Sequence, residues 1–254
     1  MIWVRSIAFQ IYFFVSVTVF AAAILLCAAF PFSVRFSLAR SWGKSMLVVG
    51  RFLCGLDYVV EGLENIPNTP CVFMIKHTTV FETYAQLAFF PQQTWVLKRE
   101  LLWIPIIGWG LAAMRPIAID RKSGRTAVTQ VIEQGKDRIA RGISLSVFPE
   151  GTRMRSGETK RYGVSGAAVA LAAGVCIVPV AHNAGDFWPR RGLRKRPGLI
   201  RVCVGPPIDP AGRKPKDTNL IVQDWVETKM AEISASYAGA SGRDTGGHEE
   251  AGLS

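Results

Sequence analysis

Between Arg5 and Arg35 the chain carries no charged side chain: the 29 positions from Ser6 to Val34 are apolar or neutral. A bilayer-crossing helix needs about 20 such residues, so any fold of this chain must bury or immerse a long apolar helix. A cleaved secretory signal competes with an anchor, since Arg5 supplies a basic start and the alanines 21–23 a small-residue cleavage site. The run far exceeds the roughly 7–15 residues of a signal core. Leu26 also precedes Cys27, where a lipoprotein signal carries a small residue. An uncleaved anchor is expected. Arg35, Arg40, Lys44 and Arg51 follow it, against Arg5 alone before it. The positive-inside tendency then puts the bulk of the chain on the cytoplasmic side of an inner membrane. Pro31 ends the first helix. It leaves open whether the segment spans the bilayer or forms a half-buried hairpin with residues 41–56.

The balance of residues agrees with a membrane setting. Hydrophobic residues make up 49%, the formal charge is +11, and the mean hydropathy is +0.22 with a pI near 9.8. Such a charge favours anionic partners, either nucleic acid or an anionic membrane surface. No zinc spacing, RNP-like strand or helix-turn-helix pattern accompanies it, so no nucleic acid is expected. The five cysteines, Cys27, Cys54, Cys71, Cys176 and Cys203, form no CxxC pair. Neither a metal site nor a disulfide framework is suggested, and buried thiols in a reducing compartment are expected.

From Asp57 onward short β-branched runs read as strands: residues 57–63, 71–77, 94–98, 116–121, 144–151, 175–183 and 199–205. Residues 81–90, 123–142 and 165–174 between them have helical character. In the longest, Val128, Ile132, Ile139 and Val131 suggest an apolar stripe, with Gly142 as a stop. This alternation predicts an α/β domain, a mixed β-sheet flanked by helices and preceded by the N-terminal anchoring helix or hairpin. The expected organisation is an anchor region over 1–44, a catalytic-type domain over 45–236 and a disordered tail over 237–254, which contains His248.

Three stretches carry candidate chemistry. "KHTTVFET", Lys76 to Thr83, follows a strand and opens a helix. With Thr79 as N-cap, Glu82 completes a capping box. His77 and Glu82 cannot share a helical face, being about 140° apart. They meet only if His77 lies outside the helix and folds back over its first turn, so both roles stay open. "RPIAIDR", Arg115 to Arg121, reads as a strand ending in an Asp–Arg pair of little intrinsic worth. "FPEGTRMR", Phe148 to Arg155, follows a strand. Gly151 permits close backbone approach, Thr152 offers a hydroxyl, and Arg153 a planar donor fork suited to phosphate. Glu150 would orient such an arginine or accept a substrate hydroxyl.

In this order the three blocks resemble the glycerolipid acyltransferases, most closely the 1-acyl-sn-glycerol-3-phosphate (lysophosphatidate) acyltransferases. The likeness extends through Lys98, Leu101, Pro105 and Gly108 to Val178–Val180, over roughly residues 45–210. One position departs: the usual His-x4-Asp is His77-x4-Glu82 here. The chain is similar in this to bacterial members with an "HxxxWET" block, Phe81 standing for the tryptophan.

The resemblance implies acyl transfer from a thioester, acyl-CoA or acyl carrier protein, to the hydroxyl of a lysophospholipid. His77 and Glu82 would be catalytic. Lys98, Arg121, Glu150, Gly151, Thr152 and Arg153 would bind the acceptor. No cofactor or metal is implied. The basic run Arg190 to Arg196 could face lipid headgroups with Trp188 at the interface, and His182 reads as a hydrogen-bonded structural histidine. Another lysolipid acceptor, or a lipid-binding protein that has lost catalysis through Glu82, are the competing readings.

Overall fold

Pro31 divides the apolar N-terminus into two helices, α1 (Ile2–Leu26) and α2 (Phe32–Cys54), with Pro31 as the N-cap of the second. The computed structural model describes residues 1–120 and 123–238. After the helix pair come β1 (Leu56–Glu61), β2 (Val72–Ile75), α3 (Phe81–Phe89), β3 (Gln93–Lys98), α4 (Ile107–Ala113), β4 (Ile117–Ile119), α5 (Gly124–Ala140) and β5 (Ser144–Val147). The chain continues through α6 (Ser165–Ala173), β6 (Ile177–His182), β7 (Gly198–Val204), α7 (Pro215–Ile233) and α8 (Ala235–Ala238). The predicted strands and helices are all present.

The seven strands form one sheet in the order β1-β7-β6-β2-β5-β3-β4. Every neighbouring pair is parallel except β6 with β7, so the sheet is mixed, as expected. Central β2 is buried on both faces, which explains its unbroken apolar run. Its residues alternate. Phe73 and Ile75 pack with residues of α1, α2 and α3. Val72 and Met74 pack with residues of α5, α6 and α7 on the other face.

One sequence reading is corrected here. The buried seam of α5 runs through Ala127, Val131, Gly135 and Ile139, with Val128 and Ile132 at its margins. The seam turns on Gly135, where a Cβ would stand 2.7 Å from Val169 of α6. Two of the four cations after the apolar run are also used inside the fold. Arg35 donates to the Ala113 carbonyl at the end of α4, and Arg40 donates to the Phe90 carbonyl at 2.7 Å beyond α3. Carbonyl ends of helices attract cations.

The helix pair is part of the domain. Helix α2 crosses residue 44 without interruption, and α1 touches the domain along its length. The Lys195 N–H donates to the Ser6 hydroxyl (2.9 Å), Phe9 meets Trp188 edge-on (5.5 Å), and Ala21 packs on Gly110 of α4. Trp188 is 4% exposed, so it does not lie at an interface. Lys195 is likewise buried, its ammonium 4.4 Å from the Trp188 ring centroid, while Arg191, Arg194 and Arg196 stay exposed. Cys54, Cys71 and Cys203 are buried as expected, Cys27 and Cys176 only partly, and all five are free. The tail beyond Ala238, with His248, lies outside the described residues.

Candidate active site

Strands β2 and β5 are parallel neighbours, so the segments that follow them leave the sheet at the same edge. His77 comes from the first segment and Phe148 to Arg153 from the second. Sequence blocks some seventy residues apart are thereby brought side by side.

The two readings of "KHTTVFET" turn out to be one structure. Glu82 Oε1 accepts from the Thr79 N–H (2.8 Å), one half of a capping box, while the Thr79 hydroxyl accepts from the Phe81 N–H (2.8 Å) and not from that of Glu82. The helix proper begins at Phe81, one residue later than a Thr79 cap places it. Glu82 Oε1 also accepts from the Thr78 N–H (2.8 Å) and lies 2.8 Å from His77 Nδ1. Outside the helix, His77 folds back over its first turn. Phe148 stacks on the other side of the ring, with centroids 4.1 Å apart. His77 Nδ1 therefore carries the proton donated to Glu82, which leaves Nε2 as the basic nitrogen. The His77 side chain is 12% exposed, and that exposure opens into a cavity.

Glu82 is 2% exposed. Burial alone would raise its carboxyl. The opposing pull of His182 and His77, with backbone N–H donation, is stronger and holds it well below the usual carboxylate range. Its second oxygen accepts from the Thr79 hydroxyl (2.8 Å) and stands 3.6 Å from His182 Nε2. That same nitrogen lies 2.8 Å from the Lys76 carbonyl. His182 is thus hydrogen-bonded and buried, as read from sequence, but it sits beside the Glu82 acid, which its spacing concealed. Burial pushes the His182 imidazolium down, against the upward pull of Glu82.

The cavity holds about 470 Å³. Its lining combines the polar His77, Lys98 and Arg153 with apolar side chains that include Val17, Phe20 and Ile24 of α1 and Leu111 and Met114. A mostly apolar cavity with two cations in its lining suits an anionic headgroup joined to hydrocarbon. Arg153 Nε is buried with no hydrogen-bond partner among the described residues, so the guanidinium is available to a ligand. Lys98 is half-exposed and 3.4 Å from Glu100.

The remaining expected binding residues stand elsewhere. Gly151 (φ 69) and Thr152 form the turn beside the cavity without lining it, and Arg190 of the basic run reaches the Thr152 hydroxyl at 3.5 Å. Glu150 departs from expectation: it points away from the cavity and is 2% exposed. Its Oε1 accepts from the His77 N–H (3.3 Å) and pairs with Lys76 (3.4 Å). It cannot touch an acceptor. Burial pushes the Glu150 carboxyl up to about 7 against the pull of Lys76. Arg121 lies outside the described residues; its neighbour Asp120 pairs with Arg99 at 3.3 Å.

The acyltransferase family model matches residues 57–183, which include His77, Glu82 and Glu150 to Arg153. A 1-acyl-sn-glycerol-3-phosphate acyltransferase of Pseudomonas aeruginosa is 37% identical over 91% of this chain and 92% of its own length. The chain belongs to the 1-acyl-sn-glycerol-3-phosphate acyltransferase family. The alpha form of that enzyme in Bos taurus is 29% identical over 83% of the chain and 76% of its own length. The crystal structure of the 1-acyl-sn-glycerophosphate (LPA) acyltransferase from Thermotoga maritima shares the fold. It has a TM-score of 0.76 at 22% identity, covering 90% of this chain and 94% of that one.

Sequence reading missed several residues around His77. Phe148 was visible as the first residue of the third block, but nothing in the sequence showed that its ring stacks on His77. Met154 donates its N–H to the His77 carbonyl at 2.7 Å, a main-chain bond that leaves no mark on side-chain identity. Lys76 did leave a signal, since alternation along β2 puts it on the buried face of Val72 and Met74. Its partner Glu227 is 151 residues away on α7 and gave none.

Proposed function

We propose that this acyltransferase moves a fatty acyl group from an acyl thioester to the sn-2 hydroxyl of lysophosphatidate, giving phosphatidate. The observation that carries the reading is His77, whose Nδ1 is tied to Glu82 and whose ring lines a mostly apolar cavity together with Lys98 and Arg153. Neutral His77 takes the proton of the acceptor hydroxyl as that oxygen attacks the thioester carbonyl. The C–S bond then breaks, and His77 returns the proton to the leaving thiolate. General-base help of this kind contributes about 10²–10⁴ in rate. Glu82 holds the tautomer and stabilises the transient imidazolium. The acceptor is itself the nucleophile, so no acyl-enzyme and no cofactor enter the scheme.

Arg153, with Lys98, faces the acceptor phosphate, and a phosphate-bearing acceptor is favoured over a lyso-aminolipid by that free guanidinium. The acyl chain extends between α1 and α4. Carrying it through water would cost about 0.8 kcal/mol per CH₂, which a membrane-embedded cavity avoids.

Helix α1 is long and apolar enough to cross a membrane. Its contacts with the domain run from Ser6 to Ala21, so we place it against the domain in the cytoplasmic face of the inner membrane. Its exposed Ile7, Ile11 and Phe14 would face lipid, with Trp109 of α4 and Trp103 just before it. Exposed Arg191, Arg194 and Arg196 would meet anionic headgroups.

Membranes containing the chain, given labelled acyl-CoA or acyl carrier protein thioester and lysophosphatidate, should form labelled phosphatidate. Acylation of another lysolipid alone would overturn the acceptor assignment.

A further inference from the structure

The strand that delivers His77 carries a lysine on its opposite face. Lys76 is completely buried, on the side of β2 that bears Val72 and Met74. Its ammonium donates to Glu227 Oε1 of α7 at 2.7 Å and to the Glu158 carbonyl at 3.2 Å, and lies 3.4 Å from Glu150 Oε1. The Tyr237 ring centroid lies 5.5 Å away. Burying an ammonium is costly unless it is paired, and an apolar side chain could fill the same space without that cost. The lysine is therefore poorly accounted for by packing alone.

Its connections lead to the catalytic main chain. Glu150 Oε1, next to the Lys76 ammonium, also accepts the His77 N–H at 3.3 Å. The His77 carbonyl accepts the Met154 N–H at 2.7 Å, so both main-chain groups of His77 are held by the turn that bears Arg153. Glu227 Oε1 meanwhile accepts from the Thr159 hydroxyl (2.8 Å) and the Tyr162 hydroxyl (3.2 Å), on the continuation of that turn. One carboxylate on α7 thus joins the lysine beside the base to the segment that follows the phosphate-facing arginine.

We infer that Lys76 and Glu227 are positioning residues for acyl transfer, which set His77 against the acceptor from the far side of the sheet through Glu150. The inference rests on His77 being the base. Without Glu227 the Lys76 ammonium is no longer held in place, and without Lys76 nothing fixes Glu150 Oε1 at the His77 N–H. The His77 N–H then loses a fixed acceptor, and the ring drifts from the acceptor hydroxyl.

The test compares steady-state kinetics of the full-length protein in membranes, and its thermal unfolding in detergent, for wild type, His77→Ala, Glu227→Gln and Lys76→Met/Glu227→Gln. Glutamine keeps the volume of Glu227, whose side chain is 19% exposed. It also keeps an oxygen for Thr159 and Tyr162, so this variant should fold. The expected result is a kcat about tenfold lower in Glu227→Gln and about a hundredfold lower in the double variant, a scale set by small misplacements of reacting groups. KM for lysophosphatidate should stay within about twofold in both. The unfolding temperature of Glu227→Gln should stay near wild type. Wild-type kcat in Glu227→Gln, or a loss matched by lower unfolding temperature or raised KM, would overturn the inference. If the double variant does not fold, Glu227→Gln decides alone. An active His77→Ala would instead refute the base assignment on which the inference rests.

Discussion

Phe148 lies nearly parallel to the His77 imidazole, with ring centroids 4.1 Å apart and planes at 17°. It opens the segment after β5, and Glu82 holds the same imidazole by its Nδ1 edge. The ring is thus fixed on one face by stacking and along one edge by a hydrogen bond. Replacing Phe148 with leucine keeps most of the apolar volume but removes the flat face. The expected result is a kcat about tenfold lower with KM unchanged, from loss of orientation. Phe148→Tyr should remain near wild type. Steady-state rates at saturating lysophosphatidate check both.

Glu82 gathers three donors on one oxygen: His77 Nδ1 and the Thr78 and Thr79 N–H groups, each at 2.8 Å. Aspartate is one methylene shorter and cannot keep the ring and both amides together. Glu82→Asp should therefore lower kcat by about ten- to a hundredfold. The gain of activity that a defunct acyltransferase would show on restoring the aspartate is the opposite result.

Arg153 faces the cavity with its Nε unpaired, so its removal leaves no broken internal hydrogen bond. Arg153→Ala should raise KM for lysophosphatidate by about ten- to a hundredfold, the worth of a charge-assisted contact. Arg153→Lys should recover part of that loss, because it restores the charge without the fork. Measured kcat should change much less than KM in both.

The pH dependence of stability follows from Glu82. Its carboxyl falls from an ordinary value of 4.5 to about 2 in the fold. A depressed carboxyl contributes stability that is fully present above the unfolded value and is lost as pH falls through the folded one. Wild type should therefore unfold at a higher temperature than Glu82→Gln at pH 7. The gap should narrow as pH drops from 4.5 toward 2. A gap that stays constant over that window would show that Glu82 is not ionised in the native protein.

The fold was largely legible because β-branched runs and helical periodicity reflect which faces are buried. Strands such as Val72–Ile75 announce themselves by unbroken apolar sequence. His77, Glu82 and Arg153 were legible because local motifs carry them. Glu150 was misplaced because its motif fixes its position in the chain but not the side to which its carboxylate turns. Burial against Lys76 decides that. Trp188 and Lys195 were read as surface residues from their basic surroundings, yet they close over Phe9 of α1, a contact across the whole chain. The inward use of Arg35 and Arg40 was hidden for the same reason, since their partners are distant main-chain carbonyls.

The most direct measurement is acyl transfer by wild type and His77→Ala at matched membrane expression, with labelled acyl thioester and lysophosphatidate. Phosphatidate from wild type and at least about a hundredfold less from His77→Ala is the expected result, as removal of a general base requires. Equal product from the two proteins would contradict the assignment of His77 as the base.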